Sequence, residues 1–198
     1  MNTSYQYSYT NIEELLDILV EKGLITPAAE QQPPTAIGRR QVQSSDLAFV
    51  TVVPAEARHL ILDLRDRFGF THLVLLTAVD YLEEGKFLLT YMLHNYELHH
   101  DIGVQVPIGR DGAAMESIHD LWAQAGTYQR ELKEMFGIDF PGSPRVDEPF
   151  ILEGWDEVPP MRREFDTKQY SETTYFPRPG RSTNDPADYM RQKLYPKE

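Results

Sequence analysis

Histidines are the side chains in this sequence that are best suited to chemistry, and three of them lie close together. His94, His99 and His100 follow one another closely, and Asp101 comes next. Neutral imidazoles and a carboxylate that converge on one point can bind a metal ion. Alternate strand residues face opposite ways, however, so His99 and His100 should point to different faces of a sheet. We therefore predict no metal site and interpret these as half-exposed strand histidines. The isolated histidines receive the same interpretation: His59, His72 and His119.

The usual signatures of catalysis are absent from the sequence. Paired carboxylates such as Glu83–Glu84 lie in polar, turn-like contexts, whereas general acid–base catalysis needs a desolvated carboxylate. No nucleophile elbow, phosphate-binding loop, dinucleotide fingerprint or zinc-protease motif occurs. The absence of cysteine excludes disulfides, thiolate-bound iron–sulfur clusters and a cysteine nucleophile. We predict no catalytic residue and no cofactor in this chain.

A dense polar block at 128–140 is the first motif that remains. On a helix, Arg130 faces Glu134 at the i+4 position, and Glu131 stands beside them. These side chains can form a charge network or, as exposed pairs commonly do, a solvated ladder of little energetic value. The aromatic residues on both sides of the block favour a structural or interface role.

A second polar block occupies 159–166. Its two prolines fix an extended backbone, after which Arg162 and Arg163 present planar, charged forks. Either these arginines clamp an acidic surface of a partner, or the segment folds back onto the acidic main domain. The sequence leaves both possibilities open.

The bulk properties restrict the partners. The chain has 198 residues and a formal charge of −12, so nucleic acid and anionic lipid surfaces are unfavourable ligands. Hydrophobic residues make up 41% and aromatic residues 11%, which is typical of a chain that folds. No apolar run is long enough for a membrane span, and the polar start does not resemble a signal peptide. We expect a cytoplasmic protein.

Periodicity predicts the elements that must position the two blocks. Asn11 should cap a first helix that ends near Gly23, and Pro54 should open a second helix that Gly69 closes. The predicted helices are 11–23, 54–68 and one or two between 115 and 136, broken near Gly126. The predicted strands are 47–53, 72–79, 87–93 and 99–106, with a turn at 83–86.

The fold class that follows is α+β. We predict a single compact domain with a small, mostly antiparallel sheet packed by helices, and a long irregular C-terminal extension. Residues 1–40 would form an N-terminal helix and a Pro-rich, mobile linker, and residues 41–140 the core domain. Prolines and glycines interrupt residues 141–198 so often that this part should build no core of helices or sheet of its own. Because it keeps many aromatic residues, we interpret it as a docking tail.

Together the two blocks resemble the C-terminal signature of one family, the C subunit of the NADH:quinone oxidoreductases. That signature runs W-x-E-R-E-x-x-D-M-F-G-I-x-F-x-G-H-P and, shortly after, G-H-P-L-R-K-D-F. Gln129, Glu134 and Ser143 replace the family's first glutamate, its aspartate and its histidine before proline. The residues that the resemblance marks as interface or structural are Arg130, Glu131, Glu134, Phe136, Gly137, Phe140, Pro160, Arg162, Arg163 and Phe165.

The resemblance implies a cofactor-free subunit of the peripheral arm, on the cytoplasmic side of the cell membrane. Its partners would be the large, hydrogenase-like quinone-site subunit and the subunits that carry the clusters. FMN, iron–sulfur clusters and quinone would then belong to the other chains of the complex. Two alternatives stay open: the equivalent subunit of a membrane-bound hydrogenase or a ferredoxin- or F420-linked dehydrogenase, and a stand-alone metal protein built on the three neighbouring histidines.

Overall fold

The computed structural model describes residues 6–25, 40–44 and 46–174. Most of the predicted linker, 26–39, and the end of the predicted tail, 175–198, lie outside these residues. The chain has four α-helices in the described part: α1 (Ile12–Glu21), α2 (Pro54–Phe68), α3 (Ala125–Phe136) and α4 (Thr167–Thr174). Its strands are β1 (Arg40–Ser44), β2 (Leu47–Thr51), β3 (His72–Tyr81), β4 (Lys86–Asn95) and β5 (His100–Gly109), and a 3₁₀ turn at Leu82–Glu84 joins β3 to β4.

The five strands form one mixed sheet in the order β1-β2-β5-β4-β3. Strands β3, β4 and β5 form the predicted antiparallel meander, while β2 lies parallel to β5 and antiparallel to β1. The α+β class predicted from the sequence is confirmed. Strand β1 was not predicted, because it begins at the end of the segment that we interpreted as a linker.

Helices α1 and α2 begin and end as the sequence indicates. The Asn11 side chain accepts a hydrogen bond of 2.9 Å from the backbone N–H of Glu14, which satisfies one free donor of the first turn of α1. Pro54 opens α2, where its missing N–H costs nothing. Gly69 ends α2 with φ 82°, a left-handed conformation that glycine adopts without strain.

The prediction of helix across 115–136 is wrong for its first half. Residues 115–124 form irregular backbone and turns, α3 starts only at Ala125, and Gly126 lies inside its first turn rather than at a break. These turns cover the edge of the sheet. Trp122 Nε1 donates to the Thr71 carbonyl at 2.8 Å, the Gln124 side chain donates to the Leu73 carbonyl, and the Tyr128 hydroxyl donates to the Val74 carbonyl at 3.0 Å.

A single apolar core lies between one face of the sheet and the helices. Alternate side chains of β4 are buried there: Phe87, Leu89, Tyr91 and Leu93. The same core includes the apolar face of α1, formed by Ile12, Leu15, Leu16 and Leu19. Among the described residues, no helix is both long enough and apolar enough to span a bilayer.

The Tyr91 hydroxyl has no hydrogen-bond partner in the described part of the chain, and burial raises its pKa. A buried hydroxyl without a partner costs the free energy of its lost hydration. Tyr91→Phe should therefore raise the free energy of unfolding, by about 1 kcal/mol, in urea denaturation.

The matched control is Tyr9→Phe. The Tyr9 hydroxyl donates to the Phe68 carbonyl at 3.3 Å and accepts from the Asn95 side-chain amide at 2.9 Å. Its removal should lower the free energy of unfolding by about 1 kcal/mol. A Tyr91→Phe variant that is destabilised as much as this control would contradict the prediction.

Candidate functional site

Helix α3 carries most of the first polar block and forms the floor of the candidate site. Its buried stripe consists of Ala125, Gln129, Leu132, Met135 and Phe136. The helix ends at Gly137, which has φ 75° and donates its N–H to the Lys133 carbonyl at 2.9 Å. The opposite face of α3 meets the segment 146–162, which returns along the helix.

Glu134 is the anchor of this returning segment. Its carboxylate accepts hydrogen bonds from the backbone N–H groups of Phe150, Ile151 and Leu152 at 2.7, 2.9 and 3.2 Å. Hydrogen bonds to an ionised acceptor are stronger than those between neutral groups. The predicted network between Arg130 and Glu134 is therefore replaced by a carboxylate that holds three consecutive amides.

Arg130 lies one turn earlier on α3. Its guanidinium stacks over the ring of Phe150, 5.4 Å from the ring centre, where cation–π attraction holds it. Glu131, between Arg130 and Leu132, is partly exposed, and its side chain has no hydrogen bond to any described residue.

Arg162 fastens the end of the segment to the C-terminus of α3. Its Nε donates to the Phe136 carbonyl at 2.6 Å, and its guanidinium lies 5.4 Å from the centre of the Phe87 ring. A cation at this end of a helix also interacts favourably with the helix dipole. A Cβ at position 137 would lie 2.9 Å from the Arg162 guanidinium, so Gly137 leaves room for this contact.

Arg163 and Glu164 attach the segment to the sheet through Asp80. The Asp80 carboxylate, whose side chain is only 2% exposed, accepts from Arg110 at 2.8 and 3.0 Å and from the Arg163 backbone N–H at 2.9 Å. Glu164 pairs with the same Arg110. The Arg163 guanidinium makes only an exposed contact of 3.5 Å with Glu83, which contributes little.

Of the two interpretations of the second block, the structure supports the one in which the segment folds back onto the main domain. The 159–166 segment folds back onto the chain's own domain, with Arg162 on α3 and the Arg163 backbone on β3. Pro160 is partly exposed in this segment. The short helix α4 follows directly at Thr167–Thr174, where Asp166 accepts from the backbone N–H groups of Lys168 and Gln169.

The aromatic site residues are divided between the core and the tail. Phe136 is 4% exposed and meets Phe87 edge to face, with 5.9 Å between ring centres. Phe140 is fully buried. Phe165 packs instead against Trp155 and Tyr170, with ring centres 5.6 and 5.5 Å away, in a small aromatic cluster of the tail.

Two of the three neighbouring histidines, His94 and His99, lie near each other, and His100 lies elsewhere. His94 Nδ1 lies 2.9 Å from an oxygen of Asp101, His99 occupies a turn with φ 56°, and His100 is buried against Tyr9. His99 precedes the strand instead of belonging to it, and its ring centre lies 6.5 Å from that of His94. Within residues 6–25, 40–44 and 46–174, no group of three or more histidine or carboxylate side chains is placed to bind a metal ion.

Sequence reasoning missed the pair of Asp80 and Arg110. One signal was present: Asp80 continues the inward-facing positions of β3 after Leu76 and Ala78, and a carboxylate on an apolar face requires a partner. The identity of that partner was not visible, because it lies 30 positions away.

A protein-family model described as "Respiratory-chain NADH dehydrogenase, 30 Kd subunit" matches residues 50–171. The match runs from β2 into α4 and includes Asp80, Glu134 and Arg162. The chain belongs to this family.

Curated relatives agree with this assignment. The C subunit of the NADH-quinone oxidoreductase of Moorella thermoacetica is 35% identical over 94 residues, which are 47% of this chain and 64% of that protein. Its counterpart in Citrifermentans bemidjiense is 30% identical over 117 residues, 59% of this chain and 72% of that protein. The combined C/D protein of Acidiphilium cryptum is 36% identical over 103 residues, 48% of this chain and 17% of that protein. In the Moorella and Acidiphilium proteins, the match thus spans less than two thirds of the relative's own length.

Two solved structures are similar as well. A chain from "Structure of the membrane-bound sulfane sulfur reductase (MBS), an archaeal respiratory membrane complex" superposes with a TM-score of 0.71 and 26% identity, over 88% of this chain and 96% of that chain. "Nqo5 of the trypsin-resistant fragment (1-134) in P63 form" has a TM-score of 0.51 and 20% identity, over 67% of this chain and 97% of that chain, which supports the fold alone.

Glu134→Ala should release the segment at 150–152, because three backbone N–H groups lose their acceptor. We expect the free energy of unfolding to fall by about 2 kcal/mol and amide hydrogen exchange to accelerate at Phe150, Ile151 and Leu152. Glu131→Ala, three positions earlier on the same helix, is the control and should change neither quantity. Unchanged exchange at 150–152 in the Glu134 variant would show that the carboxylate does not hold the segment.

Acid should weaken the contact between α3 and the chain that follows it. The hydrogen bond from Lys133, 2.7 Å long, lowers the pKa of Asp139 below its ordinary value of 3.8. A carboxyl group with a lowered pKa in the folded state stabilises the fold above the unfolded pKa, and this contribution is lost as pH falls through the folded pKa.

Asp139→Asn should therefore flatten the decline of stability below about pH 4. Because the Asp139 side chain is 45% exposed, solvent screening limits the effect to about 0.5 kcal/mol. Urea denaturation from about pH 2 to about pH 6 measures it. Asp156→Asn, at an exposed carboxylate that forms no ion pair with a described residue, is the control. Identical pH profiles for the Asp139 variant and the unmodified chain would contradict the prediction.

Proposed function

We propose that this chain is a structural subunit of the peripheral arm of a membrane-bound NADH:quinone oxidoreductase, with no catalytic or redox centre of its own. The observation that carries the proposal is how Glu134 and Arg162 are used. Both charged side chains form hydrogen bonds with backbone groups of this chain, so their charges stabilise its own fold. Family membership and the absence of cysteine support the same function.

The anchored segment presents apolar side chains to the outside. Ile151 is 66% exposed, Val158 44% and Met161 56%. Exposed apolar groups on a fixed backbone are typical of an interface whose partner is another protein.

In this function the chain would brace the large quinone-site subunit and the subunits that carry the iron–sulfur clusters, on the cytoplasmic side of the membrane. Residues 141–198 would act as the docking tail, with its part up to Thr174 fixed on the core domain. FMN, the clusters and quinone would be bound by the other subunits. Arg130, Glu131, Arg163 and Phe165 would lie at or near the interface.

A second candidate is the equivalent subunit of a related respiratory complex with another electron donor. The close superposition on a chain of the sulfane sulfur reductase complex favours it. Mass spectrometry of the proteins that co-purify with the native chain separates the two candidates. A flavoprotein that binds NADH indicates the first, and its replacement by a ferredoxin-, F420- or hydrogen-linked subunit indicates the second.

The double variant Ile151→Asp, Met161→Asp should block assembly while leaving the chain folded, because both side chains are exposed and the new charges would be buried against a partner. We expect the yield of intact complex to fall about tenfold or more on native gels. Point variants are preferable to truncation after Gly137, since truncation removes the buried Phe140 from the core.

Leu98→Asp is the matched control for this experiment. Leu98 is 38% exposed and lies in the turn between β4 and β5, away from the anchored segment. The Leu98→Asp variant should assemble like the unmodified chain. A normal yield of active complex from the Ile151 and Met161 variant, or a chain that purifies alone from its native source, would refute the proposed function.

A further inference from the structure

A cleft of about 290 Å³ opens between α3 and the returning segment. Arg130 and Lys133 line it from the helix, and Val146, Leu152, Trp155 and Pro159 line it from the segment. Its size suits one or two side chains rather than a cofactor. The walls are partly apolar, so a charged group inside would be only partly hydrated.

Most charges around the cleft are already neutralised within the chain. The Glu134 carboxylate is occupied by three backbone amides. Lys133 pairs with Asp139 and Asp147. Glu148 pairs with Arg145 at 2.6 Å.

Arg130 is a cation of the cleft without such a partner among the described residues. Its Nε is buried and has no hydrogen-bond acceptor, and the guanidinium forms no ion pair with any described residue. The ring of Phe150 holds the guanidinium plane in place from one side. Arg130 also lines the open cleft, so an acceptor from outside that enters the cleft can neutralise the charge of its guanidinium.

We propose that the cleft binds an aspartate or glutamate side chain of the neighbouring subunit, and that Arg130 recognises its carboxylate. This inference rests on the proposed function and adds the chemistry of the contact. The planar fork of arginine matches a carboxylate in two parallel hydrogen bonds. Phosphate fits less well, because its second negative charge would lie near Glu157, which also lines the cleft.

Two carboxylates of the chain itself are the competing acceptors. Glu148 is taken by Arg145, whose hydrogen bond is the main cause of its lowered pKa, while the charge of Arg130 is the smallest cause. Glu157 lines the cleft and forms no ion pair with a described residue. The experiment must therefore separate an acceptor in another subunit from one of these two.

The first experiment compares Arg130→Ala and Arg130→Lys with the control Arg145→Ala, in the full chain co-expressed with the other subunits. We expect Arg130→Ala to lower the amount of assembled complex about 30-fold and Arg130→Lys to have an intermediate effect, because lysine keeps the charge and loses the fork. Arg145→Ala should assemble normally, since its partner lies in the same chain. Normal assembly of both Arg130 variants would overturn the inference.

The second experiment identifies the acceptor and does not depend on how well a single variant folds. All subunits are mutagenised in a strain that carries Arg130→Glu, and variants in which the complex assembles again are selected. A compensating Asp or Glu to Lys or Arg change in a neighbouring subunit supports the inference. The inference is overturned if assembly is restored by a change at Glu148 or Glu157 of this chain, or if no charge change restores assembly.

The two proposals fail in different ways. If the Arg130 variants assemble normally while the Ile151 and Met161 variant does not, only the carboxylate contact is wrong. If all of these variants assemble normally, the proposed function itself is wrong.

Discussion

The ion pair between Asp80 and Arg110 is the constraint on which the arrangement of this molecule depends. Asp80 occupies an inward-facing position of β3, where an unpaired carboxylate would be strongly unfavourable. Arg110 follows the end of β5, two strands away, and supplies two hydrogen bonds. The remaining acceptor capacity of the carboxylate binds the Arg163 backbone. A single buried charge thus joins the sheet to the C-terminal segment.

The same logic extends to the other end of that segment. Glu134 projects from the face of α3 that the segment covers and binds three amides, and Arg162 donates to the carbonyl at the end of the same helix. Irregular backbone leaves polar groups that need partners, and these two side chains supply them where no strand or helix is available. The polar motif of α3 therefore works chiefly as a scaffold for the segment that lies over it.

The elements with a strong local signal were predictable. Asn11, Pro54 and Gly69 mark the ends of α1 and α2 by their own conformational preferences, and the strands of the meander follow from their alternating apolar residues. Residues 115–124 were wrongly predicted as helix because Met115 and Ile118 are buried in the core, and burial of apolar side chains does not require a helical backbone. Local patterns carry no information about which distant strand a segment will cover.

The candidate site was predictable in its residues and not in their contacts. The resemblance marked Glu134 and Arg162, but an i+4 spacing suggested a pair within α3, whereas the acceptors and donors that these residues use lie 16 to 26 positions away. Asp80 escaped notice for the same reason. Pairings across such distances depend on how the segment returns along the helix, and only the folded chain reveals that.

The two tryptophans of the sequence lie in different parts of the molecule, so the fluorescence of each reports on a different region. Trp122 lies at the edge of the sheet, hydrogen-bonded to Thr71, and Trp155 belongs to the aromatic cluster beside the cleft. Their fluorescence is therefore a built-in pair of optical reporters, one for the core and one for the tail. With Trp122 replaced by phenylalanine, the emission of Trp155 alone would follow the arrival of a partner at the tail in real time, without any attached dye.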